Sequence, residues 1–133
     1  MSVEKILNEC YTIAVVGISS SADKPSHIVA SYLAEHGYKV IPVNPNVSKI
    51  LGKTSYPNLS SIPDKVDVVD IFRRSEDVEP IIEEAIEIGA KAVWMQEGII
   101  NEEAAVMARD AGLMVVTDRC MKKEHTRLTE AKA

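Results

Sequence analysis

The chain has 133 residues, of which 46% are hydrophobic, and its formal net charge at pH 7 is −5. This length and composition predict one domain over residues 1–133, with enough apolar side chains for a single core. The acidic balance argues against nucleic acid as a partner, because phosphate backbones bind basic surfaces. No apolar run approaches the roughly 20 residues needed to cross a bilayer, so we expect no membrane partner.

The first half of the chain predicts two strands joined by a helix. Residues 12–17 form a nearly continuous apolar run, typical of a strand buried on both faces. Residues 26–36 predict a helix with an apolar stripe that includes Ile28, and residues 38–43 predict a second strand. Pro42 favours an edge position for that strand, since proline removes a ladder donor. An irregular stretch follows, with a short extended piece near residues 53–56.

The second half continues the alternation of strands and helices. Residues 66–72 predict the third strand, and Ser75 is the predicted N-cap of the next helix, which ends at Gly89. Further strands are predicted over residues 92–95 and 113–116.

Two helices accompany these last strands. Asn101 is the predicted N-cap of the helix between them, and residues 122–132 predict a charged terminal helix. The alternation predicts an α/β, Rossmann-like, doubly wound five-stranded parallel sheet. With right-handed crossovers we predict the strand order 3-2-1-4-5.

The loop after the first strand is the leading candidate for a phosphate site. Gly17 is followed by Ile18 and a run of serines, whose hydroxyl and N–H groups can donate to an anion. Lys24 adds a cation, and Pro25 fixes the start of the helix. The loop lacks the three-glycine dinucleotide fingerprint and the P-loop ending. The alternative is a tight turn between a strand and a helix without a ligand.

Three other strand ends contribute candidate residues. Asn44 and Pro45 follow the second strand where an NAD-binding fold normally has an acidic residue, and a neutral Asn tolerates a phosphorylated ribose. Lys49 and Lys53 follow on the same loop and could meet such a phosphate. The remaining candidates follow the third and fourth strands: Phe72, Arg73 and Arg74, which suit a phosphate and a flat base, and Gln96, Glu97 and Gly98.

The two cysteines, Cys10 and Cys120, are far apart in the sequence and form no C-x-x-C motif. The N-terminal residues are too polar and too short for a signal sequence, so we expect reduced thiols in a cytoplasmic protein. Cys120 and His125 lack the spacing of a metal site or a catalytic pair. We therefore predict no metal ligand and no catalytic residue.

Six segments together resemble the family of small stand-alone CoA-binding proteins, over roughly residues 5 to 125. The segments are Gly17-Ile-Ser19, Lys24-Pro-Ser26, Gly37-Tyr-Lys-Val-Ile-Pro-Val-Asn-Pro45, Asp67-Val-Val-Asp-Ile-Phe-Arg73, Gln96-Glu-Gly98 and Asp118-Arg-Cys120. That family is similar to the N-terminal CoA-binding domain of the succinyl-CoA synthetase α subunit and of ADP-forming acyl-CoA synthetases. Those synthetases carry their phosphorylated histidine in a second domain, so their activity does not transfer to this chain.

The resemblance implies coenzyme A as the ligand and assigns the candidate residues to its parts. Under the pyrophosphate and beside the phosphates it places Gly17, Ile18, Ser19, Ser20 and Lys24. Bordering the adenosine it places Val43, Asn44 and Pro45. Along the pyrophosphate and pantetheine path and at its inner end it places Phe72, Arg73, Arg74, Gln96, Glu97 and Gly98.

The predicted function is therefore binding of CoA or acyl-CoA by a monomer or homodimer, without independent catalysis. Three alternatives remain open at this point. One is Cys120-dependent chemistry on the CoA thiol or acyl group, and another is a regulatory module that binds NAD(P) or another nucleotide. The third is a regulatory role in which the chain reports the CoA level to an unidentified protein partner.

Overall fold

The computed structural model describes residues 2–132. Its helices are α1 (Ser2–Glu9), α2 (Pro25–Glu35), α3 (Val78–Glu87), α4 (Glu102–Asp110) and α5 (Met121–Lys132). Its strands are β1 (Thr12–Val16), β2 (Lys39–Val43), β3 (Lys49–Ile50), β4 (Lys53–Thr54), β5 (Val68–Ile71), β6 (Ala92–Met95) and β7 (Met114–Val116). Short 3₁₀ turns lie at Leu59–Ser61 and Ser75–Asp77.

The main sheet has five parallel strands in the order β2-β1-β5-β6-β7, which confirms the Rossmann-like α/β prediction. The predicted order 3-2-1-4-5 is wrong, because the third predicted strand, β5, pairs with β1 and not with β2. The outer edge of β2 is instead occupied by the extended residues after β4: Val43 forms a parallel bridge with Tyr56, and the Tyr56 N–H donates to the Pro42 carbonyl at 3.0 Å.

The correction moves the point at which the strand order reverses. That point lies between β1 and β5, and in open α/β sheets ligands bind outside the carboxyl ends of the strands there. The loops that begin at Gly17 and Phe72 are therefore neighbours.

Apolar side chains alternate between the two faces of the sheet, as the pleat of a strand requires. On β1, Ala14 and Val16 belong to the core shared with α3 and α4, whereas Ile13 and Val15 belong to the core shared with α1, α2 and α5. Trp94 on β6 is fully buried in the second core, as predicted. Ile28 differs from its prediction: its side chain is 41% exposed.

One helix N-cap is confirmed and one is wrong. The Asn101 side chain accepts a hydrogen bond from the Ala104 N–H at 3.0 Å and so caps α4. Ser75 lies in the 3₁₀ turn ahead of α3, and its Oγ accepts from the Ile100 N–H at 3.0 Å. Its hydroxyl therefore connects two loops at the carboxyl edge of the sheet.

The N-terminal helix α1 was not predicted, and Ile6 and Leu7 are its buried residues. Its connection to β1 is fixed by Asp67, whose carboxylate accepts from the N–H groups of Tyr11 (2.9 Å) and Thr12 (3.0 Å) and pairs with Lys91 at 3.4 Å. Burial raises the pKa of Asp67, but the two N–H donors and Lys91 together hold it below its ordinary value.

Candidate functional site

An open cavity of about 380 Å³ lies at the carboxyl edge, where the strand order reverses. Four segments line it: the loop after β1, the start of α2, the residue after β5 and the loop after β6. The lining residues are Gly17, Ser19, Lys24, Pro25, Ser26, Phe72 and Ile99. The structure thus brings together five of the predicted residues, and Ser26 and Ile99 are additions that the sequence prediction missed.

Gly17 lies very close to the backbone of the loop that begins at Phe72. Its φ is +87°, and a Cβ built on it would lie 2.2 Å from the carbonyl oxygen of Phe72. The backbone conformation and the space both require glycine here. Arg73 also lies close, with its Cδ 3.4 Å from that Cβ position.

The loop after β1 is held by hydrogen bonds from three other residues. The Asn44 Nδ2 donates to the Ile18 carbonyl at 2.8 Å, and the Ser19 N–H donates to Ser26 Oγ at 2.9 Å. His27 Nδ1 lies 2.9 Å from the Ser19 carbonyl. A carbonyl only accepts, so Nδ1 carries the proton in this contact.

The N–H groups of Ile18 and Ser20 make no hydrogen bond to any residue from 2 to 132. They lie just ahead of α2, whose first turn has its own N–H groups without intrahelical partners. Lys24 and Arg73 form no ion pair with the described residues. Free N–H donors and two cations beside one cavity suit a phosphate or pyrophosphate.

The residues at the end of β2 hold neighbouring loops together, a role that the sequence did not indicate. Val43 is buried and its carbonyl accepts the Gly17 N–H at 3.0 Å, while Pro45 is exposed. Asn44 uses its Nδ2 on Ile18 and its Oδ1 on the Asn46 N–H, at 2.8 Å. The amide of Asn44 therefore ties the loops after β1 and β2 to each other.

Lys49 and Lys53 lie on the hairpin formed by β3 and β4. Lys53 is directly opposite Ile50, and Lys49 is opposite Thr54, so the two lysines project from opposite faces of the hairpin.

The two predicted arginines have different surroundings. Arg73 lies next to Gly17, whereas the Nε of Arg74 bonds Asp77 Oδ2 at 3.0 Å on the surface. The side chain of Arg74 is 76% exposed. The arrangement places Arg73 beside Gly17, which lines the cavity, and leaves Arg74 in a local ion pair.

The loop after β6 is connected to α5 and to the residues ahead of it. Glu97 is exposed and bonds Lys123 Nζ at 2.9 and 3.0 Å, and the Gly98 N–H donates to Asp118 Oδ1 at 2.7 Å. Gln96 is buried: its Nε2 donates to Asp70, and its Oε1 accepts from the Met121 N–H at 3.3 Å. Both ends of the Gln96 amide are thus used within the protein.

Asp70 is a fully buried carboxyl in the middle of β5, and the sequence prediction gave it no role. Its Oδ1 accepts from Gln96, and its Oδ2 has no partner among the described residues. Burial raises the pKa of Asp70 to about 7, although the Gln96 hydrogen bond opposes this. The sequence does show Asp70 as a single acidic residue within an apolar strand. Its partner Gln96 lies 26 positions further along the chain, so the contact could not be predicted from the local pattern.

Cys10 and Cys120 are both free thiols, as predicted. Cys10 is buried, and burial raises its pKa. Cys120 is half-buried between β7 and α5, at the same edge of the sheet as the cavity. Among residues 2–132, no group of three or more His, Cys, Asp and Glu side chains could hold a metal ion.

A family model described as a CoA binding domain matches residues 11–126. The chain belongs to this CoA-binding domain family. The match confirms the family resemblance drawn from the sequence motifs. The fold agrees as well: a structure described as a hypothetical protein from Pyrococcus horikoshii OT3 has a TM-score of 0.93 and 44% identity. That likeness covers 96% of this chain and 89% of the other.

Two curated relatives differ greatly in length. The uncharacterized protein YneT of Bacillus subtilis (strain 168) is 39% identical over 123 residues, which cover 92% of this chain and 91% of YneT. Acetate--CoA ligase [ADP-forming] II of Archaeoglobus fulgidus is 33% identical over 94 residues, which cover 69% of this chain but only 14% of the ligase.

Along residues 2–132, no helix is both long enough and apolar enough to span a bilayer.

Proposed function

We propose that this protein binds coenzyme A or acyl-CoA at the cavity beside Gly17, as a cytoplasmic module without catalysis of its own. The observation that carries the proposal is the approach of the Gly17 and Phe72 loops. Because Gly17 has no side chain, the loop that begins at Phe72 packs directly against the loop after β1, where the N–H groups of Ile18 and Ser20 are unpaired in the described chain.

The charges around the cavity support this ligand. Lys24 and Arg73 bring two cations to the loop after β1, although the chain as a whole is acidic. A few donors and cations are enough for a compact anion, because binding depends on the local field. Phe72 and Ile99 add apolar surface in the same cavity, which suits the uncharged pantetheine arm.

The residue at the end of β2 favours CoA over NAD as the ligand. Asn44 stands where a dinucleotide fold has its acidic ribose contact, and its amide is already bonded to Ile18 and Asn46. No carboxylate at that strand end repels a phosphorylated ribose. We therefore expect CoA to bind, ADP to bind more weakly and NAD not to bind.

Isothermal titration calorimetry of the full chain with CoA, acetyl-CoA, ADP and NAD tests the proposal. The expected result is saturable heat with CoA or acetyl-CoA, weaker heat with ADP and none with NAD. Comparison of CoA with acetyl-CoA distinguishes the free thiol from the acyl form. Binding of NAD without binding of CoA would instead establish the nucleotide-module alternative.

A second candidate function rests on Cys120, the more accessible of the two thiols. Its thiolate would attack a CoA disulfide, forming a protein–CoA mixed disulfide and releasing one CoA thiol. Intact-mass measurement after incubation with CoA disulfide tests this step, with Cys120→Ser as the control. An unmodified wild-type chain would eliminate the candidate.

A further inference from the structure

Two consecutive residues of α2 hold the two peptide units on either side of Ser19, in the loop after β1. Ser26 Oγ accepts the Ser19 N–H at 2.9 Å, and His27 Nδ1 donates to the Ser19 carbonyl at 2.9 Å. Ser26 is 7% exposed and His27 is half-buried, so water competes little for the first contact. The Ser19 backbone is therefore fixed from α2 on both its polar sides.

Side-chain hydrogen bonds decide which N–H groups of this loop are available to a ligand. The Ser19 N–H is used by Ser26, and the Ser21 N–H is used by Ser19 Oγ at 3.0 Å. Between them, Ser20 keeps an N–H without a partner in the described chain, as does Ile18. Donors on a backbone that is already held in place need less reorganisation when a ligand arrives, which favours tight binding.

We propose that Ser26 and His27 are positioning residues for the ligand: they hold the peptide units on either side of Ser19, so that the N–H groups of Ile18 and Ser20 stay free for the pyrophosphate. The inference rests on the proposed function, since it concerns the same loop. His27 acts through Ser19 and lies outside the residues that line the cavity.

Variants at position 27 separate this role from simple packing. The side-chain amide of Asn can place a donor close to the position of Nδ1, whereas the longer Gln places it near Nε2. We expect His27→Asn to keep CoA affinity within about twofold and His27→Gln to weaken it about fivefold to tenfold, the loss of one net hydrogen bond. Equal affinities of the two variants would overturn the assignment of His27.

Ser26 has a matched control on the same helix. We expect Ser26→Ala to weaken CoA binding about fivefold to tenfold. Ser31→Ala, at a half-buried serine without a side-chain hydrogen bond in the described structure, should leave it unchanged. If Ser26→Ala binds CoA as the wild type does, Ser26 has no positioning role.

Amide hydrogen exchange in the ligand-free protein tests the contact itself. The Ser19 amide should exchange slowly in the wild type and at least tenfold faster in Ser26→Ala, with the core strands unaffected. Slow exchange in both proteins would refute the contact whatever the ligand is. If the wild type shows the slow Ser19 amide but no CoA binding, the proposed function fails while the loop geometry stands.

Discussion

Arg73 and Arg74 are adjacent in the sequence but face different surroundings. Arg73 lies beside Gly17 at the cavity, and Arg74 is bonded to Asp77 on the surface. Arginine binds phosphate through charge-assisted hydrogen bonds only where its guanidinium can reach the ligand. The pair therefore offers an internal control for the position of the site.

We predict that Arg73→Ala weakens CoA binding about tenfold to a hundredfold, the range expected for a hydrogen bond to a charged group. Arg74→Ala should change affinity by less than about twofold, because its guanidinium is engaged with Asp77. Calorimetric titration of both variants checks this. Similar losses in the two would mean that general attraction by positive charge, and not a contact, carries the effect.

Asp70 predicts a stability that depends on pH. Its pKa is about 7 in the fold and about 3.9 in an unfolded chain. The folded state therefore holds a proton that the unfolded state has lost, and stability falls as pH rises from about 4 to 7. Above pH 7 the full cost of the buried carboxylate is present.

Asp70→Asn removes this ionisation while keeping an oxygen for Gln96. We expect the free energy of unfolding of this variant, relative to that of the wild type, to increase by about 2–4 kcal/mol between pH 4 and pH 8. Urea unfolding at pH 4, 6 and 8 measures it, with the exposed Asp23→Asn as the control. A difference that stays constant with pH would show that folding does not raise the pKa of Asp70.

At the scale of elements, the loops at the carboxyl edge are connected by side chains that also serve helices. Asn101 caps α4 through its Oδ1, and its Nδ2 donates to the Ser75 carbonyl at 2.8 Å. The same residue thus begins a helix and fixes the loop after β6 against the loop after β5.

We predict that Asn101→Ala lowers the free energy of unfolding by about 1–2 kcal/mol, since it removes both contacts. Asn101→Asp keeps the capping oxygen and loses the donor, so about half of that loss is expected. Urea unfolding of the three proteins gives the values. Equal losses in the Ala and Asp variants would mean that the cap contributes nothing.

The periodicity of the sequence predicted the five main strands and four of the helices, because burial on a regular element repeats within a short window. The eight-residue α1 was missed although Val3, Ile6 and Leu7 form an i, i+3, i+4 stripe, because about two turns are too short for the pattern to repeat. The position of β5 in the sheet could not be predicted, because it depended on which segment covers the outer edge of β2. Tyr56, which lies in an irregular stretch of the chain, pairs with that edge.

The same limit applies to the site. Its loop residues could be predicted from type and position, because parallel strands end at one edge of the sheet. The bonding of Ser26, His27, Asn44 and Gln96 could not, since each of these contacts joins residues from different elements or turns.

At the scale of the whole molecule, a ligand that binds only the folded state raises its stability by mass action. We predict that CoA at a hundred times its dissociation constant raises the thermal midpoint by about 10 °C, from about 2.7 kcal/mol of added stability. NAD at the same concentration should leave the midpoint unchanged. A thermal scan over a series of CoA concentrations measures both, and a midpoint independent of CoA would contradict the proposal.

The approach of Gly17 to Phe72 has a consequence for directed evolution of this chain. The atom that a Cβ at position 17 would strike is a main-chain oxygen, 2.2 Å away, and every amino acid carries one. A defect caused by Gly17→Val should therefore not be repaired by any side-chain substitution at position 72. In a Gly17→Val library randomised at position 72, we expect restored clones to carry a change back to glycine at position 17.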